Sequence, residues 1–271
     1  MKLGITTFGT DEGMPVPELA KAMEERGFDA LLLAEHSHIP VSRESPYPAG
    51  GELPRPYFRA VDPFVALAAA ASVTSTLTLG TGISLLIQRD VIHTAKSVAS
   101  LSLISGGRVV YGVGVGWNRE EMRNHGTDPR TRGVLLDERI AALREIWTND
   151  KAEFHGEYVD FDPIFSWPKP EIAPPVYVGG NSAAAAARAV RLGDGWLPNA
   201  VPDVAEIPAQ FALLGDSRIP VTATSVRADP RLLDAYAEAG AERVTFSLAP
   251  QPASESLRRL DELAALISAY R

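Results

Sequence analysis

The chain has 271 residues, with 26 Lys plus Arg against 34 Asp plus Glu, a formal net charge of −8 and no cysteine. The acidic balance and the lack of a basic run exclude a track for a nucleic-acid backbone, and the missing cysteines exclude disulfides, thiolate nucleophiles and cysteine-bound metals. A hydrophobic content of 45% suffices for one large core, yet no apolar run reaches the ~18 residues of a membrane span.

MKLGITTFGT reads as a strand over residues 2–8, with no basic segment leading into an apolar signal core, so a cytoplasmic protein is expected. Val16, Leu19, Ala20 and Met23 then fall on one helical face, and Gly27 supplies the C-terminal cap. A second strand, residues 30–34, ends at Glu35 and His36 and opens a long segment, residues 36–61, rich in proline and aromatic residues. Loops of that length are usually functional or disordered, and one that follows a strand belongs at a catalytic mouth. Strands over residues 77–81 and 109–113 follow, each ending in glycines. Residues 150–174 contain FHGEYVDF, which alternates like a strand pair and serves either as an insertion covering the mouth or as a plain surface excursion. Strands over residues 176–179, 195–198, 219–223 and 243–248 complete a set of eight, and Leu257, Leu260, Ala264 and Ile267 repeat the helical pattern. The alanine run 183–187 suits a helix packed closely on a sheet.

Continuous apolar strands alternating with helices indicate a parallel sheet buried on both faces, and eight such units close into a (β/α)8 TIM barrel. The expectation is one such domain over residues 1–271, with insertion loops at the C-terminal face; an open doubly wound sheet is the fallback.

GVGVGW, residues 112–117, lacks the G-x-G-x-x-G spacing after a first strand that a dinucleotide fold requires. Its glycines either let a ligand meet bare backbone or relieve crowding in the barrel. In VYVGGNSAAAAARAV a strand stops at Gly179 and Gly180, and Asn181 or Ser182 can cap the next helix, whose free N–H groups suit a phosphate monoester. The alternative is an ordinary capped helix, and barrel phosphate sites more often follow strands seven and eight than strand five. Adjacent strand residues face opposite ways, so at most one of Glu35 and His36 points into the mouth, and His36 is the better proton carrier. His38, His93, His125 and His155 lack metal-ligand spacing, and no metal is expected.

Taken together, EH after the second strand, LGTGISLL, SGGRVVYGVGVGWNREE and VYVGGNSAAAAARAVRLGDGWLP resemble the bacterial luciferase-like flavin and deazaflavin oxidoreductases, over roughly residues 1–198. YPAGGELP, preceding DPFVALAAAASVTSTLTLGTG, is most similar to the actinobacterial coenzyme F420-dependent subgroup. The resemblance implies a (β/α)8 barrel that binds an 8-hydroxy-5-deazaflavin and catalyses hydride transfer at C5. It also implies a non-prolyl cis peptide at Gly82–Ile83, with Ile83 buttressing the central ring. Phosphate contacts map onto the backbone at Val115 and Gly116 and at Gly179 and Gly180, with Asn181 and Ser182 nearby, and His36 matches the active-site histidine. Trp117 joins the cofactor-binding set but stands where some sugar-phosphate dehydrogenases carry an acid, which weighs against that substrate class. A homodimer is compatible with the resemblance.

The expected activity is hydride transfer between coenzyme F420 and a small organic substrate held under residues 40–58. An FMN-dependent monooxygenase is the alternative cofactor reading. A non-catalytic flavin or deazaflavin carrier would keep the glycines and lose His36. A phosphosugar isomerase or aldolase would need a strand-end lysine or paired carboxylates, which the strand ends lack.

Overall fold

The computed structural model describes residues 1–270. In chain order, β1 (Lys2–Thr7) leads to α1 (Val16–Glu25), β2 (Ala30–Leu33) to α2 (Pro63–Ala71), β3 (Thr78–Thr81) to α3 (Val91–Ser105), and β4 (Val109–Val113) to α4 (Arg119–Asn124) and α5 (Arg132–Thr148). An antiparallel pair, β5 (Ala152–His155) and β6 (Asp160–Ile164), precedes β7 (Val176–Gly179) and α6 (Ala183–Leu192). Then come β8 (Gly195–Leu197) with α7 (Ile207–Ala212), β9 (Thr222–Ala223) with α8 (Pro230–Glu238), and β10 (Arg243–Ser247) with α9 (Ala253–Ala264) and α10 (Ile267–Tyr270).

Eight strands pair in the order β8-β7-β4-β3-β2-β1-β10-β9, every named pair parallel. Bridges Trp196↔Val221 and Asn199↔Thr224 bring the two ends together. The chain is therefore a (β/α)8 barrel rather than an open sheet. Ala30, Leu31, Leu32 and Leu33 are all buried, as a strand covered on both faces requires. The α1 stripe is buried as its spacing predicts, and Gly27 takes φ +78° just past its end.

Two elements differ from the sequence expectation. Of residues 219–223, Thr222 and Ala223 form the strand and Val221 makes an isolated bridge to Trp196; Pro220 has no N–H to donate, and its carbonyl instead accepts from Trp196 N at 2.9 Å. The last helix breaks after Ala264, and Ile267 is buried from a separate turn. The β5–β6 excursion lies against α5, where Glu138 accepts from the backbone N–H groups of Glu157, Tyr158 and Val159 at 2.7–2.9 Å. No residue of 150–174 lines the mouth cavity described below, so the segment is a surface excursion. Among the described residues no helix is long and apolar enough to cross a membrane.

At the opposite end of the barrel, Glu24 closes the turn into β3. Its Oε1 accepts from the N–H groups of Ser75, Thr76 and Leu77 at 2.8, 2.6 and 2.9 Å. Burial opposes the charge, but the backbone donors outweigh it and hold the carboxyl down at about 2, against an ordinary 4.5. A depressed carboxyl contributes stability above its unfolded pKa and loses it as pH falls through the folded one. Glu24→Gln is therefore expected to lower the melting temperature at neutral pH, with the gap to wild type closing between pH 4.5 and about 2. A gap independent of pH in paired thermal melts contradicts this assignment.

Candidate active site

The C-terminal ends of the strands surround a cavity of about 540 Å³, walled by Phe8, Ala34, Gly82, Asn199, Thr224 and Leu248 and roofed by Tyr47, Pro48, Pro54 and Tyr57. The long loop thus stands over the mouth, where its position after β2 places it. Three contacts pin it. Arg55 Nε donates to Glu12 and Arg59 Nε to Asp11, each at 2.7 Å, and Ser45 N donates to buried Glu120 Oε1 at 2.7 Å while its hydroxyl donates to Oε2. Exposed ion pairs are worth ~0.2–1 kcal/mol each, so the buried Glu120 contact is the stronger tether. Burial raises the Glu120 carboxyl, yet the bonds from Ser45 prevail and keep it below its ordinary range.

Glu35 and His36 diverge as strand geometry dictates. The Glu35 carboxylate accepts from Ser84 Oγ and Leu85 N at 2.7 Å and from Arg89 Nε at 2.5 Å, which fixes the chain just beyond β3. His36 is buried, and its Nδ1 lies 2.8 Å from Oε2 of fully buried Glu121. The second Glu121 oxygen accepts from Ser37 N at 3.2 Å. A carboxylate only accepts, so a neutral imidazole in this contact carries its proton on Nδ1 and keeps the Nε2 lone pair. Around the imidazole stand Tyr57 (ring centroids 5.2 Å apart), Trp117 (5.9 Å) and Phe8 (6.4 Å). Burial and the neighbouring Tyr47 push the Tyr57 phenol far above its ordinary pKa, so it remains a neutral donor.

Glu121 is the residue that sequence reasoning missed. It sits in the first turn of α4, whose Asn118 cap accepts from Glu121 N at 3.1 Å, and an acid there reads from sequence as a partner of the helix dipole. The available signal was its place just after a barrel strand, on the face where catalytic groups collect.

The Gly82–Ile83 peptide bond is cis, as the family resemblance implies. The chain resumes pairing at Ser84, whose N–H donates to Gly112 O at 2.7 Å and whose carbonyl accepts from Gly114 N at 3.0 Å. Half-buried Ile83 packs on an inner cluster of Leu32, Val110, Tyr177 and Leu197. A Cβ on Gly114 would meet Ile83 Cδ1 at 2.3 Å, and one on Gly179 would meet Ile83 Cγ2 at 2.6 Å. Both glycines therefore make room for Ile83.

The remaining predicted residues gather at the β4 and β7 rims, which are neighbours because those strands pair. Val115 and Gly116 follow β4, and Gly116 and Gly180 adopt φ +63° and +116°. Ser182 rather than Asn181 caps α6, accepting from Ala185 N at 3.2 Å. The Asn181 side chain is engaged with Asn199, donating to its carbonyl at 2.9 Å and accepting from its N–H at 2.7 Å. Asn181 thus spends one side-chain donor and one acceptor on Asn199. The first-turn N–H groups of Ala183 and Ala184 have no partner within the helix. Trp117 belongs to the aromatic group around His36 and is not among the cavity-lining residues.

The profile of the luciferase-like monooxygenases matches residues 8–215. An uncharacterised protein of Mycobacterium tuberculosis is 35% identical over 280 residues, covering 99% of each chain. The F420-dependent hydroxymycolic acid dehydrogenase of the same organism is 33% identical over 184 residues, 67% of this chain and 48% of its own length. Among solved structures, the monooxygenase RslO1 of Streptomyces bottropensis superposes with a TM-score of 0.77 at 20% identity over the full length of both chains. A barrel with a cis peptide after its third strand and a profile match across three quarters of its length mark this chain as a member of the luciferase-like monooxygenase family.

Proposed function

We propose that the protein is an F420-dependent oxidoreductase acting on a small organic alcohol or carbonyl compound. The observation that carries this reading is the His36–Glu121 pair beside a closed-over cavity at the barrel mouth. A planar ring in the mouth would meet Gly82, which lines the cavity, and the neighbouring Ile83, and the cofactor phosphate would meet the rim formed by Gly116, Gly180 and the first turn of α6, where unpaired N–H groups and the helix dipole favour an anion. The Ser182 hydroxyl can donate there while its lone pair caps the helix.

When bound, the deazaflavin supplies hydride exchange at C5. The chain's own groups handle the rest. Glu121 holds the Nδ1 proton and orients the ring, so that Nε2 takes the hydroxyl proton of an alcohol or returns it to a carbonyl. Tyr47, Tyr57 and the prolines of the loop present apolar surface to the cavity. The likeness to an F420-dependent dehydrogenase at 33% identity supports F420. The likeness to the FMN-bound oxygenating constituent of 3,6-diketocamphane monooxygenase, at 16% identity, speaks to fold alone. The presence of His36 with a buried carboxyl partner supports an enzyme over a carrier.

Titrating the purified protein with F420 and with FMN, followed by tryptophan fluorescence, separates the cofactors. Saturable quenching by F420, with FMN much weaker, is expected; tight binding of FMN without F420 overturns the cofactor assignment.

A further inference from the structure

We propose that Arg43 is a specificity residue of this site, and that it binds an anionic group, a carboxylate or a phosphate, on the molecule whose reacting oxygen meets His36. This rests on the oxidoreductase reading above.

The chain just after Arg43 is pinned to α4. Ser45 N donates to Glu120 Oε1 at 2.7 Å, Arg119 N donates to the Ser45 hydroxyl at 3.1 Å, and Arg123 Nη2 donates to Glu44 Oε2 at 2.9 Å. Arg43 itself takes φ +52°, a left-handed conformation that residues with a side chain rarely adopt. Its guanidinium is not what holds it there. Among the described residues Arg43 makes no hydrogen bond or ion pair, and its Nη1 is closed off from solvent without an acceptor. The other arginines around the loop differ: Arg55 pairs with Glu12, Arg59 with Asp11, Arg123 with Glu44, and Arg89 with Glu35 and Asp62. A guanidinium cannot shed its charge, so a desolvated N–H on it is costly until an acceptor arrives, and an anion is the best acceptor for its planar fork.

The place of this group gives it a ligand to read. The guanidinium carbon stands 6.0 Å from the centroid of the Trp117 ring, and the His36 imidazole stands 5.9 Å from the same residue's ring. A substrate with its oxygen at Nε2 can therefore lie along the indole and present its far end to Arg43. Neither His36 nor Arg43 lines the mouth cavity; Tyr47 and Tyr57 do, and their rings lie 6.2 and 6.4 Å from Trp117, so the tyrosines border both spaces. The buried carboxylates of α4 are already engaged, Glu121 by His36 and Ser37 and Glu120 by Ser45. The cofactor phosphate is the other source of an anion, because Gly116 directly precedes Trp117. The substrate is favoured: the rim at Gly116, Gly180 and α6 has its own donors for a phosphate, whereas Arg43 shares its indole with His36.

The test uses shape-matched acids and amides on the F420-loaded protein: 4-hydroxycyclohexanecarboxylate against its carboxamide, and 4-(hydroxymethyl)benzoate against its benzamide. Binding is read by isothermal titration and turnover by bleaching of the deazaflavin absorbance. Wild type is expected to bind each acid at least about tenfold more tightly than its amide, through one charge pair. Arg43→Met should level each pair by weakening the acid alone, with kcat for the amide unchanged, and Arg43→Lys should restore part of the preference. Because no bond is lost, Arg43→Met should melt no lower than wild type. F420 and 8-hydroxy-5-deazariboflavin, which lacks the phosphate, are titrated first, and Arg43→Met is expected to bind both as wild type does. Equal binding of acid and amide, binding of neither, a preference that survives Arg43→Met, or a lowered melting temperature overturns the proposal. So does a loss of affinity in Arg43→Met confined to F420, which assigns the arginine to the cofactor phosphate. Failure of wild type to bind F420 at all counts against the cofactor reading alone, and the acid and amide titrations on the cofactor-free protein then decide the role of Arg43.

Discussion

His36→Asn is expected to bind F420 nearly as tightly as wild type while turnover falls by about a hundredfold to ten-thousandfold, the range for loss of a positioned acid–base group. Asparagine keeps a donor toward Glu121, so the buried carboxylate is not left without a partner and the fold should persist. What it lacks is an imidazole lone pair for the substrate proton. Glu121→Gln tests the positioning role separately. A glutamine amide can accept from Nδ1–H or, flipped, donate to an unprotonated Nδ1, so the ring loses its fixed tautomer and kcat drops while cofactor affinity holds. If His36 were purely structural, both variants would shift melting temperature and leave kcat of the folded fraction unchanged.

The second large effect concerns the support of Ile83. Gly179→Ala sets a methyl 2.6 Å from Ile83 Cγ2, with Val113 O at 3.3 Å on the other side. A branched side chain is stiff at χ1 and cannot swing that methyl away cheaply, so the variant is expected to lose ~1–3 kcal/mol of stability from overpacking. Ile83→Ala in the same chain removes the clashing methyl, so the double variant should recover most of the loss in a denaturant-melt cycle. Cofactor affinity should not recover, because the prop beneath the ring is gone. Independent, additive stability losses would contradict the packing of Ile83 between Gly114 and Gly179.

The barrel was legible because its strands are apolar throughout and its helices carry a periodic stripe, signals that survive without tertiary information. Where Pro220 interrupts a strand, the pattern alone overstated its length. The period-two alternation of FHGEYVDF correctly marked a strand pair, but its site against α5 depends on Glu138, a contact made from the neighbouring helix that no local pattern reveals. His36 was identifiable from its place after a strand and from family resemblance. Its partner Glu121 lies 85 positions away on a short helix, and its role arises only when β2 and β4 end at the same rim. The same limit applies to Asn181, whose side chain is taken up by Asn199 from the adjacent strand end. Tyr57 and Tyr47 come from a loop whose path is set by the ion pairs at Asp11 and Glu12 and by Glu120.

The central claim is that the barrel mouth seats a phosphorylated tricyclic ring on Ile83 with its other face toward His36. A crystal structure of the F420 complex measures this directly. The account predicts the ring against Ile83, the phosphate at the Gly116 and Gly180 rims, and space for a substrate oxygen within hydrogen-bonding distance of Nε2. A ring bound elsewhere, or one whose reactive carbon faces Ile83 with His36 walled off, contradicts it.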